Sequence, residues 1–108
     1  MWQKTCLVLV LNLLPAIASS QEAEAAFCNS MSAMTRNIAA AHQRGVPLRE
    51  AITWLDLTDD DLAKGFAEMV IMDVYENNQR YTTQSIQERT VTETEDKYFL
   101  YCLKLFKG

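Results

Sequence analysis

Glycine, proline and histidine are scarce in this chain, and each shortage removes a class of chemistry. Three glycines in 108 residues leave no glycine-rich loop to cradle a phosphate and no Gly-x-Ser-x-Gly elbow for a nucleophilic serine. His42 is the single imidazole. With two distant cysteines it falls short of the ligand set that zinc requires. Lying between Ala41 and Gln43 near the end of a helical segment, it is explained by a favourable interaction with the helix dipole. No Cys-x-x-Cys spacing occurs, so the usual redox motif is missing. Carboxylate pairs such as Glu93 and Glu95 sit on a polar run, where solvated charge is the ordinary reading. The expectation is a protein that is not an enzyme, with no catalytic residue, no cofactor and no metal.

Basic residues are also few. Ten Lys/Arg stand against fourteen Asp/Glu, with no basic stripe. Nucleic acids and anionic membranes both demand clustered Lys/Arg, so neither is an expected partner. Long apolar runs are absent as well. The longest, Cys6 to Leu14, is interrupted by Asn12 and falls far short of the ~20 residues that cross a bilayer. What stands there is Lys4, that apolar core, Pro15 and the small-residue triplet Ala16-Ile17-Ala18, which is the order of parts in a secretory signal peptide. Residues 1–18 are expected to be a cleaved leader, with Ala23-Glu24-Ala25 as a second cleavage site. Phe27 before Cys28 is too bulky for a lipobox. Residues 19–26 then form a short polar segment and 27–108 a single helical domain. Loss of Lys4 leaves a formal charge of −5 on a periplasmic or secreted chain with no membrane span after processing.

Cys6 leaves with the leader, so Cys28 and Cys102 remain alone. In an oxidising compartment one pair allows one intramolecular connectivity. Free buried thiols are the alternative if the chain stays in the cytosol. A Cys28–Cys102 bond ties the first structured residues to the last, which matters in a domain whose core is marginal for its size.

Periodicity supplies the helices. From Phe27 to Arg44, residues Cys28, Met31, Met34 or Thr35, Ile38 and Ala41 recur at three- and four-residue steps, and Gly45 stands where a left-handed C-cap is wanted. Pro47 suits the first turn of a second segment, in which Leu48, Ile52 and Leu55 share a face. Thr58 is the expected N-cap of the next helix, with Asp61 closing a variant capping box and Leu57 and Leu62 bracketing it as a staple. The aspartates Asp59, Asp60 and Asp61 lack the alternating spacing of a calcium loop and suit the positive helix end instead. That helix puts Leu62, Ala63, Phe66, Ala67, Met69, Val70 and Val74 on one arc. Thr82 or Thr83 starts the last segment. There the polar, β-branched run Arg89–Asp96 weakens helix propensity, and Tyr98–Phe106 reads as either a buried helix or a strand. The expected fold is all-α, a small bundle of about four helices closed by one disulfide. The alternative is α+β with a C-terminal hairpin through Glu95-Asp96.

Three residues on the third helix depart from a plain amphipathic pattern. Asp73 falls inside the apolar arc, where it either pairs with an arginine or backbone donors or contacts a partner. Met72 and Tyr75 lie outside the arc, either packed under a neighbouring helix or forming an exposed patch. Met72, Asp73 and Tyr75 are therefore the candidate partner-binding residues.

The early Cys28, the segment Arg44-Gly45-Val46-Pro47, the helix end Val74-Tyr75 and the late Cys102 resemble small exported single-disulfide helical proteins of proteobacteria. The tail Tyr98-Phe99-Leu100-Tyr101-Cys102 is similar to the end of the Spackle family of periplasmic phage proteins. That resemblance covers these few residues, transfers no site, and would imply a stapled helical inhibitor of a phage lysozyme active in superinfection exclusion. The expected function is a non-catalytic exported binding protein: an inhibitor, immunity or accessory protein acting on a protein partner, an enzyme or assembly of the cell envelope. The alternative is a small acid-stress periplasmic chaperone, which the excess of carboxylates favours because their protonation at low pH loosens a fold.

Overall fold

The computed structural model describes the backbone from Trp2 to Lys107 and the side chains from Gln21 to Lys107. The expected leader, residues 1–18, lies outside the residues whose side chains are described. Helix α1 (Trp2–Gln43) is followed by a short α2 (Leu48–Thr53), a 3-10 turn (Trp54–Leu57), α3 (Asp61–Asn77) and α4 (Gln84–Lys107). No strand occurs among the described residues, and the chain is an all-α bundle. No helix among them is long and apolar enough to cross a membrane.

Helix α1 was expected to begin near Phe27, yet it already runs through the polar segment from Gln21. Glu22, Ala23, Glu24, Ala25 and Ala26 are good helix formers with no glycine or proline among them. Its end is a Schellman motif. The Val46 N–H donates to the Ala41 carbonyl at 3.0 Å and the Gly45 N–H to the His42 carbonyl at 3.1 Å. Gly45 takes φ +88°, and a Cβ there would stand 2.7 Å from the Arg80 guanidinium. The positive φ is what requires glycine at this turn, since the mobile Arg80 side chain could move aside.

The cap of α3 differs from expectation. Asp60, not Thr58, holds it: its Oδ1 accepts from the N–H groups of Leu62 at 2.9 Å and Ala63 at 3.3 Å. Thr58 sits one step back, its Oγ1 accepting from the Asp60 N–H at 3.2 Å. A carboxylate is the stronger acceptor and also gains from the helix dipole. The staple does not form either, because Leu57 is 82% exposed and Leu62 54%. In α2 the small Ala51 is fully buried, while Leu48 and Ile52, expected inward, face solvent. A methyl side chain lets α2 approach its neighbours closely, and that rotates the larger residues outward.

The hairpin through Glu95-Asp96 is absent, since α4 is one continuous helix. In its weak stretch the Thr90 and Thr94 hydroxyls donate to the carbonyls one turn back, Ile86 at 2.9 Å and Thr90 at 2.8 Å, without breaking the helix. Val91 and Thr94 are also buried, so tertiary packing overrides local propensity. The apolar end of α4 is only half core. Tyr98 and Cys102 are buried, but Leu100, Tyr101, Leu105 and Phe106 are exposed, with Lys104 and Lys107 among them.

Helix α4 packs antiparallel against the later part of α1, from Phe27 onward. Gln43 meets Tyr81 at one end, Arg36 reaches Glu95 midway, and Cys28 bonds Cys102 near the other. Helix α3 lies against both. The ring of Phe66 joins the three by edge contacts with Phe27 at 6.5 Å and Tyr98 at 5.9 Å. Cys28, Met31, Thr35, Ile38, Val70, Ile71, Val74, Tyr98 and Cys102 are buried together at this junction.

The disulfide joins residues 74 apart in sequence, and both cysteines are fully buried. Closing so long a loop stabilises the folded state by about 4 kcal/mol. A Cys28→Ser/Cys102→Ser double variant is expected to melt ~15 °C or more below the oxidised protein. Thermal unfolding followed by circular dichroism checks this, and equal midpoints would contradict it.

Candidate functional site

Asp73 projects from α3 toward α4, where it gathers three donors. Tyr98 Oη donates to its Oδ2 at 2.5 Å, Lys97 Nζ to the same oxygen at 2.8 Å, and Asn77 Nδ2 to Oδ1 at 2.7 Å. The expected arginine or backbone partners are replaced by a lysine, a phenol and an amide. Burial pushes the Asp73 carboxyl up, but these hydrogen bonds and the Lys97 charge outweigh it and hold the group below its ordinary value. Tyr98 responds in the opposite sense. Burial, followed by the hydrogen bond and charge of Asp73, drives its phenol well above the usual range. The carboxylate thus locks α3 to α4 through groups that stay in their bonding states across the neutral range.

Tyr75 is also turned inward. Its hydroxyl donates to the Val46 carbonyl at 2.8 Å, and its ring meets His42 edge-on at 4.5 Å. Burial and the Glu50 charge push the phenol up, partly opposed by Arg44. His42, buried, donates from Nε2 to the Asn78 carbonyl at 2.7 Å. Beside it, Gln43 donates to the Gln79 carbonyl at 2.8 Å and accepts from the Tyr81 N–H at 2.8 Å. These side chains pin the α1–α2 and α3–α4 connections. Met72 alone of the three candidate residues presents an open apolar surface, 49% exposed. Met72, Asp73 and Tyr75 therefore do not make one continuous patch.

A concave site lies elsewhere, where the α2 and 3-10 connection crosses the seam between α1 and α3. A groove of 480 Å³ opens there, lined by Met34 and Ile38 of α1, Trp54 and Leu55 of the 3-10 turn, and Ala67 and Ile71 of α3. Its floor is apolar: Ile71, Ile38 and Ala67 are all buried. Its mouth carries Leu57, the most exposed large apolar residue described, with Thr58 beside it and Arg44 and Asn37 also on the lining. The volume falls in the range of ~300–1,000 Å³ that accommodates ligands or anchoring side chains. Chemically the site offers apolar contact and a few polar rim groups. No group of three or more His, Cys, Asp or Glu side chains in metal-binding arrangement is found among the described residues.

Leu55 and Leu57 had been read as core and staple, and Trp54 had no assigned part. The signal present in the sequence is the tetrad Trp54-Leu55-Asp56-Leu57, whose three large apolar residues cannot all face inward from a single short turn.

Asp73 generates a pH-dependent prediction. Its folded value is depressed, so its contribution is complete above the unfolded carboxyl value near 4 and disappears as pH falls through the lower folded value. Asp73→Asn is expected to cost about 1–2 kcal/mol at pH 7, with the gap between wild type and variant narrowing as pH falls through the depressed folded value of the Asp73 carboxyl. Denaturant titrations at several pH values measure this, and a gap independent of pH would refute it. Compared as a whole with known proteins, the chain matches no family model, no curated protein and no solved structure.

Proposed function

We propose that this is an exported, non-catalytic binding protein that docks on a protein of the cell envelope as an inhibitor, immunity or accessory protein. The observation that carries the reading is the apolar groove between α1, the 3-10 turn and α3, with Leu57 standing 82% exposed at its mouth. Exposed leucine costs solubility, and a concave apolar site beside it is the form in which small domains receive an anchoring side chain. The leader-like residues 1–18 and the buried Cys28–Cys102 bond support an oxidising compartment. The buried floor supports recognition with little rearrangement, since Ile38 and Ile71 are held by the stapled core.

A photo-crosslinking residue placed at Asn37, which lines the groove, is expected to trap one defined envelope protein in periplasm. The same residue at Ser85, exposed on α4, is expected to trap none. Leu57→Asp should abolish the adduct without changing the melting temperature. Adducts at Asn37 no different from those at Ser85, or untouched by Leu57→Asp, would refute docking at this face.

The Asp73 cluster favours a second reading, an acid-activated chaperone. Loss of that carboxylate's charge at low pH weakens the α3–α4 contact that covers Phe66 and Tyr98. Under this reading the oxidised protein suppresses aggregation of a denatured client at a pH low enough to protonate Asp73, and not at pH 7. Light scattering decides it, and unchecked aggregation at low pH would dismiss the idea.

A further inference from the structure

The groove is not electrically neutral at its ends, and its charges select among occupants. Arg44 lines it just beyond the end of α1, while Leu57 and Thr58 line it beside the start of α3. Met34 and Arg44 are nearly three turns apart on α1, so the site extends roughly 15 Å along that helix. At the Leu57 end the chain reads Asp56-Leu57-Thr58-Asp59-Asp60-Asp61, with four carboxylates and no base. All four aspartates are exposed. Asp60 is engaged in capping α3, but Asp56, Asp59 and Asp61 form no side-chain hydrogen bond or ion pair among the described residues. Lys64, one turn further on, pairs with none of them. Ion pairs among the described residues involve only Arg36, Glu88, Glu95, Asp73 and Lys97, so these aspartates stand out by their clustering rather than by lacking partners. A clustered carboxylate field beside an apolar mouth raises the local concentration of cations and disfavours anions.

Building on the docking function proposed above, we infer that the occupant of the groove is a basic amphipathic segment of a partner protein. Its apolar side chains pack against Leu57 and the part-exposed Met34, Trp54 and Leu55, and its Lys or Arg residues lie against Asp56, Asp59 and Asp61. The apolar contacts supply affinity and the carboxylates supply direction. An acidic or neutral segment of the same apolar face is discriminated against at the Leu57 end, where its charge would meet three clustered aspartates. The groove length suits two to three turns of a helix laid along α1, or a shorter extended stretch.

The test uses the oxidised full-length mature chain and three fluorescein-labelled synthetic peptides of equal length: an amphipathic Leu/Lys peptide, a Leu/Glu peptide with the same apolar face, and a Gln/Lys peptide with the charge but no apolar face. Fluorescence anisotropy is expected to show the Leu/Lys peptide binding about tenfold or more tighter than either other peptide, a difference that added salt reduces. A variant with Asp56→Asn, Asp59→Asn and Asp61→Asn keeps the Asp60 cap. It should lose most of the preference for Leu/Lys over Leu/Glu while melting as wild type does. Leu57→Asp should weaken Leu/Lys binding as well. Equal binding of Leu/Lys and Leu/Glu, with both lost on Leu57→Asp, would overturn the basic occupant and leave docking at the groove intact. Equal binding of Leu/Lys and Gln/Lys would overturn it in favour of charge attraction alone. A concentration-dependent dimer dissolved by Leu57→Asp in analytical ultracentrifugation would overturn it in favour of a second copy of this chain. Failure of every peptide to bind would also overturn it, and the Asn37 crosslink would then decide the docking function separately.

Discussion

The antiparallel seam between α1 and α4, bonded through Cys28 and Cys102, is the constraint on which the remaining structure depends. It holds the earliest and latest packed residues at one level of the bundle, with the Cα atoms 5.5 Å apart. Everything between them must leave that level and return to it. Helix α3 is the element that fills the enclosed space. It is short, and of its apolar residues only Ala63, Phe66, Ala67, Val70, Ile71 and Val74 are buried. A core of this size has little free energy to spare against chain entropy, so a covalent closure of the unfolded chain is a large share of the total. At the opposite end His42, Gln43 and Tyr75 add hydrogen bonds to the connecting backbone.

That arrangement accounts for the groove. Because α1 and α3 run in the same direction, the chain between them must travel back along the bundle. It does so in ten residues, as α2 and one 3-10 turn, anchored by the buried Ala51 and half-buried Trp54 and Leu55. A full-length helix would have covered the α1–α3 seam. This short crossing does not, and the uncovered length is the groove. The Schellman turn at Gly45 sets the direction in which the crossing leaves α1, and the Asp60 cap sets the direction in which α3 departs.

Much of the frame was legible in the sequence, for reasons that can be named. Three- and four-residue spacing of Cys28, Met31, Thr35 and Ile38 reports a buried face because a long helix has one orientation to satisfy. Gly45 reports a left-handed turn because few other residues tolerate it. Cys28 and Cys102 are the two cysteines outside the leader-like stretch, and two leave one pairing. What failed to show were choices settled by competition. Asp60 outcompeted Thr58 as a cap, and both are ordinary caps by type. Ala51 displaced Leu48 and Ile52 from the interior because close approach of α2 was worth more than burying larger side chains loosely. The run Tyr98–Phe106 is apolar on all sides, so periodicity carries no information about which side the bundle covers. In the sequence Met72 stands outside the apolar arc, packed or exposed, and Asp73 is an anomaly within it, but the groove depends on how three segments fail to close, and no local pattern encodes that.

The distribution of charge then separates structural from recognitional carboxylates. Asp73 is surrounded by donors on its own and the adjacent helix, and its negative charge is consumed in holding α3 against α4. Asp60 is consumed in the same sense by the first turn of α3. Asp56, Asp59 and Asp61 have no such occupation, yet they crowd within six residues around the mouth of the groove. Their mutual repulsion is a small cost to the free fold, offset in part by the dipole of α3 for the residues at its start. A cation brought in by a partner relieves that repulsion as it binds, so the same three side chains that slightly disfavour the isolated protein add to the attraction for a basic one. The apolar floor cannot make that distinction, because a leucine contact is the same whatever charge travels with it. On the docking function proposed above, selectivity at this face would reside in the clustered aspartates, and affinity in the apolar surface beside them.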